Sequence, residues 1–227
     1  MAAGIEDEPA LSGTPHAWSA GDDAIGDEPA LAESPAAVRD KARRDAAVRE
    51  MWANEAHAIG VADFFWLCVA SGAFAVICAL VKGVLGFGLL AVCAGAPVVE
   101  EMAKVVLPMM WLETAPWRFR SAGTIALACL ASALVFATIE NLLYFNVYIP
   151  EEKYSDGIIW FRLIVCTSVH LICTMTSAFG LVRAWRDARD GACGFCSAAV
   201  TPYLVVAMVM HGIYNAFASL VFLWQRT

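Results

Sequence analysis

The fold class predicted by the sequence is all-α: a polytopic membrane helical bundle of about five transmembrane spans, with the second kinked or broken. Three observations predict it. Hydrophobic residues make up 60% of the 227-residue chain and charged residues 16%, whereas soluble domains carry nearer 25% charged residues. Five apolar segments each reach the ~20 residues that a bilayer core requires. The connections between them alternate between basic and acidic. Such a composition excludes an ordinary soluble enzyme and a wholly disordered chain. The net charge of −7 argues against nucleic-acid binding, which calls for a basic footprint.

Residues 1–35 are expected to be a disordered acidic tail. They hold eight acids (Glu6, Asp7, Glu8, Asp22, Asp23, Asp27, Glu28, Glu33) and no lysine or arginine. The stretches 5–15 (IEDEPALSGTP) and 25–35 (IGDEPALAESP) are an imperfect duplication. Both copies contain too little apolar surface to offset the entropy of ordering the chain. With no basic start and no apolar centre, the tail does not read as a secretory signal.

Residues 36–58 read as a basic amphipathic interfacial helix. The stretch is alanine-rich, carries Arg39, Lys41, Arg43, Arg44 and Arg49, and has Val38, Val48, Met51 and Trp52 on a ragged apolar side. A basic helix just before a membrane span lies at the cytoplasmic interface.

Residues 59–225 form the membrane-embedded domain. Its apolar segments lie at about 61–81, 84–112, 122–146, 158–183 and 196–224. The second is too long for one straight span and contains Pro97 and Pro108, and proline removes a backbone donor and bends helices. Bending, breakage or partial re-entry is expected there, with the freed backbone groups inside the protein.

Arg118 and Arg120 mark one connection, and Arg183, Arg186 and Arg189 another. Glu151, Glu152 and Asp156 dominate the connection between spans three and four. With the basic 39–49 stretch inside, the positive-inside rule gives an inside N-terminus and an outside C-terminus. Cys68, Cys78, Cys93, Cys129, Cys166 and Cys173 lie within spans, as small apolar residues and not as a disulfide framework. Cys193 and Cys196 form a lone CxxC, weak evidence for redox or metal chemistry. The run from Gly83 to Gly88 lacks the lysine of a phosphate loop and reads as a turn.

The informative residues are those a span should exclude. An ionisable group at mid-helix costs roughly 2.5–3.5 kcal/mol on insertion scales. Yet Glu100, Glu101 and Lys104 stand in segment two, Glu140 beside Asn141 in span three, His170 in span four, and His211 with Asn215 in span five. Lys104, one turn after Glu100, can pair with it, which leaves Glu101 unpaired. His211 and Asn215 share a helix face and could serve only as hydrogen-bonding glue. Together, however, these residues imply one shared polar cavity. At ~1.5 Å per residue, Glu140, His170 and His211 fall at matching depths, between the midplane and the outer half.

No serine, cysteine or threonine pairs with a histidine at a recognisable spacing, and there is no HExxH or GxSxG. A buried carboxylate beside an imidazole can activate water, and a His and an Asn one turn apart can donate to an oxyanion. That describes a water-attack peptidase. The same residues could also bind a divalent metal or relay protons in a transporter.

The residues quoted resemble the PrsW group of intramembrane peptidases, in the superfamily that includes the CAAX prenyl endopeptidases and bacteriocin-processing proteins. The resemblance rests on Glu100-Glu101-Met-Ala-Lys104 (EExxK), Phe136-Ala-Thr-Ile-Glu140-Asn141 (FxxxEN), the isolated His170, and His211-Gly-Ile-Tyr-Asn215 (HxxxN), in family order over about residues 60–224. The CAAX endopeptidases carry EExxxR and FxxxH instead, so prenylated substrates are not implied. The resemblance implies a glutamic-type protease with no cofactor or obligatory metal. Its catalytic residues would be Glu100, Glu101, Glu140, His170, His211 and Asn215. Glu100 would be the base, Glu140 or His170 would share proton transfer, and His211 and Asn215 would hold the oxyanion. Lys104, Asn141 and Phe136 would support them. It also implies a membrane-anchored protein substrate of the anti-sigma-factor type, the lipid bilayer as setting, no nucleic acid, and a prokaryotic cytoplasmic membrane. The alternatives are a non-catalytic scaffold of the same superfamily and a proton- or metal-coupled transporter.

Overall fold

The computed structural model describes residues 35–54, 58–84, 88–150, 155–191 and 194–224. All of the duplicated acidic tail except Pro35 lies outside them, as do Cys193, Glu151 and Glu152. Among the described residues there are six helices and no strand. The chain divides into two compact units, residues 1–42 and 43–227. The described part of the first unit is the start of helix α1 (Pro35–Ala53). The second unit contains everything else.

Helix α2 is Val61–Val84. Helix α3 covers 88–114: Gly88–Leu90, a π-helical turn at Ala91–Gly95, and a regular stretch at Ala96–Thr114. Helix α4 runs Ala122–Leu143 and continues through a π turn at Tyr144–Tyr148. Helix α5 starts at Asp156–Trp160, passes through a π turn at Phe161–Cys166, and continues over Thr167–Asp190. Helix α6 is Thr201–Trp224. Serine caps start two of them. The Ser121 hydroxyl accepts from Thr124 N at 3.1 Å and the Ser155 hydroxyl from Ile158 N at 3.4 Å, filling donors that a helix start leaves open.

Among the described residues four helices (α2, α4, α5 and α6) are long and apolar enough to cross a membrane. Helix α3 is the fifth expected span. At ~1.5 Å per residue it is about 40 Å long, but Glu100, Glu101, Lys104 and Glu113 keep it from being apolar. It packs against all four of the others, while they form an arc around it with α2 and α6 at the ends. The prolines expected to bend or break segment two leave it helical throughout 88–114. Its irregularity takes the form of the π turn that ends just before Pro97.

Lipid tails are as apolar as leucine, so helices in a membrane associate by close packing of small residues. The interior follows that rule: Cys68, Ala128, Cys129, Ala133, Ala137, Cys173 and Ala178 are buried among a few large residues such as Leu112, Phe119, Ile125 and Trp185. A methyl group built on Gly72 would lie 2.6 Å from Ser132 O, so only glycine lets α2 come this close to α4. The described cysteines are all free thiols.

The basic connections gather at one end of the bundle. Arg118 Nη2 donates to Asp63 Oδ2 at 3.0 Å, and Arg120 donates to the carbonyls of Trp52 and Asn54. The indole N–H of Trp185 donates to Pro116 O at 3.0 Å, and Arg189 lies 4.8 Å over that ring. The end of α1 joins this layer, since Trp52 packs on Trp185 with centroids 6.1 Å apart.

Candidate active site

The buried face of α3 carries the ionisable residues. Positions 100, 101 and 104 fall within about one helical turn, and Glu100 (5% exposed), Glu101 and Lys104 (both 0%) are all enclosed. Lys104 pairs with Glu101, three residues before it: its Nζ is 2.7 Å from Glu101 Oε1. Glu101 is therefore far from unpaired. It also accepts from His211 Nδ1 at 2.8 Å and from the Thr174 hydroxyl at 3.3 Å. Lys104 reaches His170 Nδ1 at 2.9 Å and stands 4.2 Å above the Phe136 ring. Its carbonyl accepts from Ser71 and Ser132 at 2.7 and 2.8 Å, which fixes α3 to α2 and α4 at the level of the site.

On the far side, His170 Nε2 lies 3.0 Å from Glu140 Oε2, and Arg162 Nη2 donates to the same oxygen at 3.0 Å. The His170 and His211 rings meet edge to face at 4.9 Å, as do those of Phe136 and His170. Sequence-predicted residues from four helices are thus joined in one chain of contacts: Glu140, His170, Lys104, Glu101, His211. Glu100 stands at its end, with Oε2 3.8 Å from His211 Nε2.

The protons in this chain follow from its charges. An ammonium has only donors and an ionised carboxylate only acceptors. Paired with Lys104, Glu101 accepts from His211 Nδ1, and the ring turns Nε2 toward Glu100. The Lys104 ammonium donates to His170 Nδ1, which places the His170 proton on Nε2, where it is donated to Glu140.

Asn215 stands elsewhere in the scheme. Pro97 has no N–H, so in π register the carbonyl of Val92, five residues earlier, loses its donor. Asn215 Nδ2 supplies one at 2.9 Å. Beside it, a methyl built on Gly212 would lie 2.6 Å from Cys93 O. The HxxxN segment therefore seats α6 on the proline-relaxed turn of α3. Asn141 is buried, and its Nδ2 donates to Thr167 Oγ1 at 3.2 Å.

Sequence reasoning missed Arg162, Thr174 and Tyr144. Arg162 was legible: it is an ionisable residue inside the fourth apolar segment, the same criterion that selected the others. It is the counter-ion that span three lacks for Glu140, and its guanidinium lies 3.5 Å over the Tyr144 ring.

Glu100, His170 and His211 each offer a ligand atom within 4.8 Å of the others, all buried. One carboxylate and two imidazoles is the donor set of an open catalytic zinc site, and Glu101 behind His211 is the partner such a ligand has. Whether His170 completes the set depends on the proton that Lys104 holds toward it. A ligand nitrogen needs a free lone pair, and the Lys104 ammonium occupies Nδ1 while Nε2 carries the proton given to Glu140. With Lys104 charged, the residues supply two ligands and not three.

Carboxylates and imidazoles enclosed at one level of a membrane-length helical bundle are equipped to hydrolyse bonds inside or beside a bilayer. A family model described as the PrsW family intramembrane metalloprotease matches residues 56–226. The chain belongs to this family of intramembrane proteases and is a multi-pass integral membrane protein. Neither the curated proteins nor the solved structures contain a match to it.

Proposed function

We propose that this protease cleaves membrane-anchored protein substrates with a water molecule activated between Glu100 and His211, without a catalytic metal. The observation that carries the reading is the 3.8 Å separation of Glu100 Oε2 from His211 Nε2. That is too long for a direct hydrogen bond and suits two acceptors bridged by one water. Both acceptors take a hydrogen from the water, leaving an oxygen lone pair for the scissile carbonyl carbon. As the C–O bond forms, one water proton passes to Glu100. When the tetrahedral intermediate collapses, the C–N bond breaks and that proton goes to the departing nitrogen.

Glu101 orients His211 through the 2.8 Å hydrogen bond to Nδ1. Lys104 keeps Glu101 ionised and joins it to His170, and Glu140 with Arg162 closes the other end. In this reading His211 positions the water, a role its proton placement supports better than that of an oxyanion donor. Asn215 supports the turn that leads to Glu100.

The neutral His170 and the charged Lys104 beside it support a metal-independent mechanism. Residues 1–35 are proposed to be a tail outside the catalytic domain, and 36–58 a helix at the cytoplasmic interface. The clustering of Arg118, Arg120 and Arg189 at one end of the bundle supports an inside N-terminus. Incubating the purified protein in detergent with single-span membrane peptides, and mapping new termini by mass spectrometry, tests the reading. New termini within or next to the apolar segment support it. Ion-driven uptake into liposomes with no cleavage would favour the transporter alternative.

A further inference from the structure

Two helices change register beside Glu140: α4 at Tyr144–Tyr148 and α5 at Phe161–Cys166. A π turn worsens hydrogen-bond geometry and is retained where a side chain must be re-aimed, often at functional sites. The pair aimed here is Tyr144 and Arg162, stacked at 3.5 Å while Arg162 Nη2 bonds Glu140. Arg162 Nε–H is buried and meets no acceptor among the described residues.

A complementary group is carried by Asn141, the residue after Glu140 in α4. Asn141 is 6% exposed, and its Oδ1 is buried with no donor among the described residues. The Asn141 amide nitrogen donates to the Thr167 hydroxyl at 3.2 Å, which donates to the main-chain carbonyl of Arg162 at 3.5 Å. One unfilled donor and one unfilled acceptor therefore lie on the two residues beside Glu140, the one bonded to it and the one following it, and Thr167 joins the Asn141 amide to the Arg162 main chain. Buried polar groups without partners are costly and rare.

A peptide about to be cut in a membrane has the matching deficit. Its unwound main chain bares N–H and C=O groups that lipid cannot satisfy. A residue in an extended strand presents both groups on the same edge. We infer that Arg162 and Asn141 form a main-chain clamp, with Arg162 Nε–H donating to a substrate carbonyl and Asn141 Oδ1 accepting from a substrate N–H. The residue held is extended and lies next to the scissile bond. The clamp reads backbone and not side chain, so it favours an unwound segment over any particular sequence. This inference rests on the protease reading above.

A labelled single-span peptide substrate, and a set of copies each N-methylated at one position, tests it. Binding is read by fluorescence anisotropy on the Glu100→Gln protein in detergent, and cleavage on the wild type. Methylation at one position near the cut should weaken binding about tenfold, the size of one lost hydrogen bond. In Glu100→Gln/Asn141→Leu that peptide should bind as well as its unmethylated parent. Asn141→Ser serves the same purpose if the leucine variant does not fold. Arg162→Lys keeps a charge for Glu140 but has no Nε–H, and should raise KM about tenfold with kcat within about twofold. The clamp is overturned if the methylation penalty is the same with and without Asn141, or if Arg162→Lys lowers kcat alone. If the wild type cuts the parent peptide while the methyl scan is flat, only the clamp falls. If the parent peptide is neither bound nor cut, the protease reading falls and the clamp with it.

Discussion

The Lys104 ammonium donates to Nδ1 of His170 across 2.9 Å, linking α3 to α5 at the centre of the bundle. The contact makes one lysine the common partner of both halves of the site, because the same Nζ holds Glu101. Removing it should therefore damage the fold before it damages the chemistry. Lys104→Met leaves Glu101 as an uncompensated buried acid, which costs on the order of 3–5 kcal/mol. The expected outcome is a large drop in thermal unfolding temperature in detergent, substantially restored in Lys104→Met/Glu101→Gln. Equal instability of the single and double variants would show that Lys104 does not act through Glu101.

Asn215 and Pro97 should be coupled. If Asn215 replaces the donor that Pro97 lacks, Asn215→Ala should lose about 1–2 kcal/mol of stability. Pro97→Ala returns an N–H to the turn and should suppress most of that loss, along with the accompanying loss of cleavage. A cleavage defect in Asn215→Ala that Pro97→Ala leaves untouched would assign Asn215 to the oxyanion instead.

Gly212 tests the seating of α6 on α3. A methyl at this position would meet a backbone carbonyl at 2.6 Å, and no side-chain rotation can relieve the clash. Gly212→Ala should lower cleavage sharply, because it pushes His211 away from Glu100. Gly123→Ala is the control, since a methyl there meets only the Ser121 hydroxyl at 3.6 Å. Comparable behaviour of the two variants would contradict the close approach.

Metal dependence separates the proposed mechanism from a metal-assisted one. Chelators should leave cleavage intact, and elemental analysis should find far less than one zinc per chain. Stoichiometric zinc with chelator-sensitive activity would make Glu100, His170 and His211 the ligands. Lys104 would then have to release His170.

Much of this arrangement is legible in the sequence because the bilayer simplifies the reading. Apolar runs marked the spans at 61–81, 122–146 and 158–183. The structure places helices at Val61–Val84, Ala122–Tyr148 and Asp156–Asp190. Glu100, Glu101, Glu140, His170 and His211 stood out because each is expensive in a span, and they do meet. Pairing was less legible. The i,i+4 rule describes an isolated helix surface, whereas Lys104 turns toward Glu101 because α5 and α6 bring His170 and His211 to the same face. Asn215 looked like a donor for chemistry because nothing local reveals that Pro97, on another helix, strands a carbonyl opposite it. Arg162 escaped notice near the end of an apolar run, where a long side chain ordinarily snorkels to the interface. Here it bends inward to Glu140.

The central claim is that Glu100 is the base. It is tested most directly by the initial rate at which the Glu100→Gln protein cuts a single-span membrane peptide, beside wild type at equal concentration. The substitution keeps the size and planarity of the side chain and removes only the proton acceptor. The account predicts a fall of about 10²–10⁴-fold, the range of a lost general base, with unfolding temperature and peptide binding unchanged. A rate near wild type from well-folded Glu100→Gln would contradict it.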